Sequence, residues 1–142
     1  MRSTDDLFRL QRFVQAQDPV FDRVQAELRS GHKRSHWMWF IFPQYAGLGH
    51  SDMSRHFAIS SLDEAAAYLR HPVLGPRLDD CTRLVTQLQG QSIQSIFGAP
   101  DYLKFRSCMT LFERVAVDGT IFRAALEQYF EGQADQRTLS LI

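Results

Sequence analysis

Six consecutive apolar residues, Trp37-Met38-Trp39-Phe40-Ile41-Phe42, constrain this chain more than any other stretch of it. An amphipathic helix has one apolar stripe and a half-buried strand alternates, so neither turns six neighbouring side chains to one core. Such a run is buried on several sides or lines a cavity. Pro43 ends it. It falls far short of the roughly 20 apolar residues that a bilayer-spanning helix needs.

The flanks of this run are helical. Leu7, Leu10 and Val14 are spaced for a first helix, with Ser3 or Thr4 as its cap. Asp18-Pro19 reads as a helix restart, with Phe21, Val24 and Leu28 as its stripe and Gly31 as its stop. Ser61 and Glu64 form a capping box, in which Ser61 caps and Glu64 reaches back to it. Leu74, Leu78, Cys81, Val85 and Leu88 make one face, closed by Gly90. A short turn, Ile93 to Phe97, precedes the strongest helix, which opens at Pro100 with Phe105, Cys108, Met109, Phe112, Val115 and Ala116 on one face. Asp118-Gly119 breaks it. Phe122, Ala125, Leu126 and Tyr129 mark another helix, and Gln136 to Leu141 a last turn. No segment alternates convincingly, and there is no repeat or linker. The expected fold is all-α: one compact domain over residues 1–142 with about six to eight helices. Leu78, Cys81, Val85, Phe105, Met109 and Phe112 are expected to be buried together, and both cysteines to be quiet thiols.

Charge narrows the partners. Sixteen Lys and Arg balance sixteen Asp and Glu, so no global field draws the chain to nucleic acid or an anionic membrane. The start, MRSTDDLFRL, holds two Asp and no apolar run and does not read as a signal peptide; the expected location is the cytoplasm. The state expected is a monomer. No metal or cofactor is expected: His32 and His36 are four apart, but Lys33-Arg34 between them would repel a cation. Gly47-Leu48-Gly49 lacks the rest of a nucleotide-binding loop.

The chemistry concentrates between Gly31 and Phe57, which hold both tryptophans and four of the five histidines. Trp37 or Trp39 offers a stacking ring, and His36, Gln44, Ser51, Ser54 and Arg55 offer polar groups, the mixture a small-molecule pocket needs. Lys104 and Ser107, neighbours on the Pro100 helix with Arg106 and Thr110 farther round, offer an anion site. The expectation is one pocket between the Trp37–Ser54 segment and that helix, for a nucleotide or ADP-ribose-like ligand that is bound or hydrolysed. His36 is the candidate acid–base group and Asp135 the alternative carboxylate. The competing expectation is a non-catalytic protein interaction module, with the aromatic run as its anchor.

The same residues resemble a known family. The run from Ser35 to Gln44 with Gly47-Leu48-Gly49 and Ser51 looks like the signature of domain-of-unknown-function family 1810. So do Glu64-Ala65, Tyr68-Leu69, His71-Pro72, Leu74-Gly75 and Arg77-Leu78. Ile96-Phe97-Gly98, Asp101, Lys104, Met109 to Phe112, Gly132, Asp135 and Thr138 continue the match. Cys108 stands where that family more usually shows Ser. The resemblance implies a compact helical fold of bacterial, cytosolic proteins and no known activity. Some members carry a calpastatin label, but this chain has nothing of a disordered, repetitive inhibitor. The Lys104 to Phe112 helix is also distantly similar to one in the NADAR proteins, helical domains that act on ADP-ribose derivatives.

Overall fold

The apolar stripes become helices wherever their spacing holds. In the structure, a computed structural model that describes residues 6–142, these are α1 (Gln11–Gln17), α2 (Phe21–Ser30), α3 (Met38–Ile41), α4 (Asp52–His56), α5 (Leu62–Arg70), α6 (Leu74–Gln87), α7 (Ile93–Phe97), α8 (Asp101–Val115), α9 (Thr120–Phe130) and α10 (Gln136–Leu141). Among the described residues there is no strand, only one isolated bridge between Tyr45 and Ile59. Six of the ten helices have seven residues or more. No described helix is long and apolar enough to cross a membrane.

The long helices pack as their faces require. α8 lies against α5, α7, α9 and α10, and α6 against α2, α5 and α9. Leu78, Cys81, Val85, Phe105, Met109 and Phe112 are all buried in one continuous apolar core. Both cysteines are free. Burial pushes the Cys81 thiol up to about 12, and the Cys108 thiol well above its usual range.

The aromatic run divides. Trp37, Met38, Phe40, Ile41 and Phe42 are buried, whereas Trp39 is only partly so. The single turn of α3 explains this, because a helix rotates successive side chains through all directions. The run is seated by polar side chains from other helices. Gln17 of α1 donates to the Phe40 carbonyl at 2.7 Å and to the Tyr68 hydroxyl at 3.1 Å. Glu27 of α2 accepts from the Arg34 and Ser35 N–H groups, the Ser35 hydroxyl and the Trp37 indole N–H at 2.5–3.0 Å. Burial opposes the charged form of Glu27, but these donors outweigh it and hold the carboxyl at about 2. Arg12 of α1 donates to the carbonyls of His56 and Ala58 and pairs with Glu64 of α5 at 2.9 Å.

Four details differ from the reading of the sequence. Ser3 and Thr4 lie outside the described residues; α1 starts at Gln11, and Asp6 accepts from the N–H groups of Leu10 and Gln11 ahead of it. Asp18 closes α1 rather than capping α2, which begins at Phe21. Ser61 caps α5 as expected, but Glu64 reaches the N–H of Ser60, because its other oxygen is held by Arg12. Ser107, read as an edge residue, is buried. Gly31 does end α2, at φ +75°, a conformation that glycine adopts without a side-chain clash.

Candidate functional site

Residues 44–60 leave the core at Pro43 and return to it at Ile59. The return is fixed by two backbone bonds: Ala46 N–H donates to the Ile59 carbonyl at 2.8 Å, and Ile59 N–H to the Gln44 carbonyl at 2.9 Å. Between these ends the chain arches outward. Ser51 caps α4 by accepting from the Ser54 N–H, and no residue of α4 is buried. Gly49 lies so close to Ser54 that an added Cβ would come 2.6 Å from its Cβ, so a larger residue here would have to push Ser54 aside.

Under this arch is a cavity of about 190 Å³. One wall is Trp39 of α3, with Lys104 of α8 beside it; Gln44, Tyr45, Ser54, Arg55 and Ser60 of the arch complete the polar lining. The aromatic segment and the helix after Pro100 thus share one cavity. Lys104 Nζ stands 5.5 Å from the centre of the Trp39 ring, where the negative face of an indole attracts a cation.

Charge around this wall is organised by one carboxylate. Asp101 at the start of α8 faces two lysines: its Oδ2 is 2.9 Å from Lys33 Nζ and its Oδ1 3.5 Å from Lys104 Nζ. Lys33 Nζ lies 5.1 Å from the centre of the Trp37 ring. Each tryptophan of the run therefore has its own lysine, with Asp101 between the two cations.

Five of the residues singled out from the sequence meet here: Trp39, Gln44, Ser54, Arg55 and Lys104. The others lie elsewhere. Trp37 is 1% exposed and its N–H is held by Glu27, so it has no free stacking face. His36 is exposed at the turn before α3 and is not among the lining residues. Ser51 serves as the cap of α4. Ser107, Thr110 and Asp135 form a clasp between α8 and α10. The Ser107 hydroxyl lies 3.2 Å from Asp135 Oδ2, and Thr110 Oγ1 accepts from the Asp135 N–H at 2.9 Å. The same Asp135 oxygen accepts from the N–H and hydroxyl of Thr138, capping α10. Asp135 and its partners are thereby occupied in joining two helices.

Asp101 and Lys33 were not singled out as site residues from the sequence. The Asp101–Lys104 spacing of three on a helix was a signal for that pair. Lys33 had none, since only the fold brings it to α8. Among the described residues no group of three His, Cys, Asp or Glu side chains could hold a metal ion.

Comparison with known proteins places this geometry in a family. Residues 7–142 match the family described as "Protein of unknown function (DUF1810)", and the chain belongs to it. No curated protein matches. The solved structures include the conserved hypothetical protein Rv1873 from Mycobacterium tuberculosis. It is 55% identical, covers 95% of this chain and 96% of its own, and superposes with a TM-score of 0.94. The chain is thus similar over nearly its whole length to a bacterial protein whose description states no activity.

Proposed function

We propose that this member of a family of unknown function binds a small molecule carrying a planar ring and an anionic group, the chemistry of nucleotides and ADP-ribose derivatives. The observation that carries the proposal is the placement of Lys104 Nζ 5.5 Å from the Trp39 ring on the wall of a cavity. The ligand's ring would stack on Trp39, and its anion would meet Lys104 and Arg55. Gln44 and Ser54 would supply the orienting hydrogen bonds. A cavity of about 190 Å³ is smaller than the roughly 300–1,000 Å³ of drug-sized pockets, so it would enclose one ring system and its anchor. The rest of a larger ligand would extend into solvent.

The lining favours recognition over hydrolysis. Its titratable side chains are Tyr45, Arg55 and Lys104, while His36 and Asp135 are outside it. A reaction on a bound ligand would need an acid–base group within hydrogen-bond reach of the reacting atom.

The test is a thermal-shift screen of the full chain against nucleotides, NAD derivatives and phosphosugars, repeated with Lys104→Ala and Trp39→Ala. Ring-bearing anions should raise the melting temperature; a ligand at about 100 times its Kd adds about 2.7 kcal/mol. Both variants should lose the shift. The proposal fails if no ring-bearing anion stabilises the protein, or if stabilisation survives in both variants.

A further inference from the structure

We infer that Leu141 of α10 is a positioning residue of the cavity, holding the outgoing limb of the arch over it. The effect on affinity rests on the ring-and-anion reading above; the effect on the arch does not.

The arch has little to fix it from within. α4 is five residues long and none of them is buried. A helix this short is not stable by itself. The two ends of the arch are tied by the backbone bonds among Gln44, Ala46 and Ile59. Its returning limb is gripped by Arg12, which donates to the His56 and Ala58 carbonyls at 2.8 and 2.9 Å. Its outgoing limb passes through Gly47, which lines the cavity and has no side chain to anchor it. Leu141 supplies one from outside. A Cβ at Gly47 would lie 3.5 and 3.7 Å from the two methyl carbons of Leu141, ordinary contact distances. The arch is thus held on both limbs, by a guanidinium on one and by an isobutyl group on the other.

Leu141 is itself held in place by α8. Arg106 donates to the Gln133 and Ala134 carbonyls at 2.9 and 3.2 Å, ahead of α10. Ser107 and Thr110 meet Asp135, which caps α10, and Thr138 in its first turn is completely buried. The same α8 carries Lys104. One helix therefore sets the cationic wall of the cavity and, through the clasp and α10, the place of the arch over it. An arch already in its binding position spares the ligand the cost of ordering it. If only a fraction of molecules hold it there, the apparent Kd rises by the reciprocal of that fraction.

Amide exchange followed by NMR on the full chain without ligand tests the arch, and calorimetry with adenosine monophosphate tests the site. Because Leu141 is 44% exposed, Leu141→Ala leaves the core intact. It should remove most of the exchange protection of the hydrogen-bonded Ser54, Arg55 and Phe57 N–H groups. It should also weaken the monophosphate about fivefold, the value for an arch in place about one-fifth of the time. Asp135→Ala, which frees α10 from α8, should do the same. Leu141→Met, which restores an apolar side chain, should return both readouts to near the wild type. Ile121→Ala, in a groove beside Val115 at the other end of α8, should destabilise the molecule without either effect. Arch protection that is unmoved in Leu141→Ala and Asp135→Ala, or lost equally in Ile121→Ala, overturns the inference. So does lost protection with an unchanged Kd. If protection is lost as expected but the wild type does not bind the monophosphate, the nucleotide reading of the cavity falls and the hold of Leu141 on the arch stands.

Discussion

The α6–α8–α9 side of the molecule and the 32–60 side both contribute residues to the buried core, yet they are held by opposite means. On the first side, apolar faces meet and little else is required: Leu78, Cys81, Val85, Phe105, Met109 and Phe112 are within 1% of complete burial. On the second side, the aromatic run carries too many apolar groups for one face and has almost no regular backbone pairing of its own. Polar side chains from α1, α2 and α5 fill that gap: Gln17, Glu27, Arg12 and Glu64 take up its carbonyls, N–H groups and indole. A segment with this construction can keep a cavity open beside a tryptophan, because its position does not depend on filling every space. A core built only on packing closes such a space.

The comparison breaks most visibly in the packed side. Phe112 is fully buried and meets the Tyr68 and Phe122 rings at 5.3 and 6.1 Å. Phe112→Ala should cost about 3–5 kcal/mol in a urea titration. A loss below about 1 kcal/mol would mean that the α8 face packs loosely. The polar side should respond to Arg12→Ala with a loss of about 3 kcal/mol, since the substitution strands the enclosed Glu64 carboxylate and frees two carbonyls of the arch. If Arg12→Ala behaves like a surface change, within about 0.5 kcal/mol, the arch is held by something other than its polar anchors.

The two sides also differ in how far the sequence discloses them. Apolar spacing on α6 and α8 identifies their buried faces residue by residue, because packing against another helix is what that spacing records. Arg12 sits opposite the Leu10–Val14 stripe, where periodicity assigns a residue to solvent, and Gln17 continues that stripe with a polar side chain; the partners of both lie far along the chain, while those of Glu27 lie in the irregular segment just after α2. A polar residue facing inward has the same spacing signature as one facing outward. Trp37 and Trp39 show the limit most clearly. Two identical rings, two positions apart, look interchangeable, but the turn of the chain at α3 sets one against Phe42, Phe97 and Glu27 and leaves the other on the cavity. His36, Ser107, Thr110 and Asp135 have the chemistry of a site, but local geometry employs the last three as a helix clasp.

A sharper contrast comes from the second buried carboxylate. Glu64 has a guanidinium partner, whereas Glu27 is met by N–H and O–H donors alone. Glu27→Gln should cost about 2 kcal/mol near neutral pH, because hydrogen bonds to a charged acceptor are replaced by weaker ones and one carboxylate oxygen becomes an amide that cannot accept. The loss should also depend on pH with a definite sign. The folded Glu27 carboxyl sits at about 2, below its ordinary 4.5, so the unfolded chain takes up the proton first as the solution is acidified. The stability this group confers is complete above its ordinary value and is lost as the pH falls towards 2. Urea midpoints for the wild type and Glu27→Gln should therefore converge between neutral pH and about pH 3. A difference that stays constant over that range would mean that the donors around Glu27 serve the neutral form as well as the charged one.

The smallest effect is expected on the cavity wall itself. Lys33 and Lys104 share Asp101, but the first is enclosed against Trp37 and the second stands at the edge of the cavity over Trp39. Removing Lys33 leaves Asp101 with only the longer contact, and removing Lys104 leaves it with the shorter one. Lys104→Ala should therefore change stability by no more than about 1 kcal/mol, the range of partly exposed ion pairs. Lys33→Ala should cost more, since it also takes the cation from a buried indole face. Thermal or urea unfolding of the two variants side by side decides the matter. Equal losses would make both lysines part of what holds the aromatic run. A clear excess for Lys33 would separate the residue that supports the wall from the residue that faces the cavity, which is the division that a ligand-binding Lys104 requires.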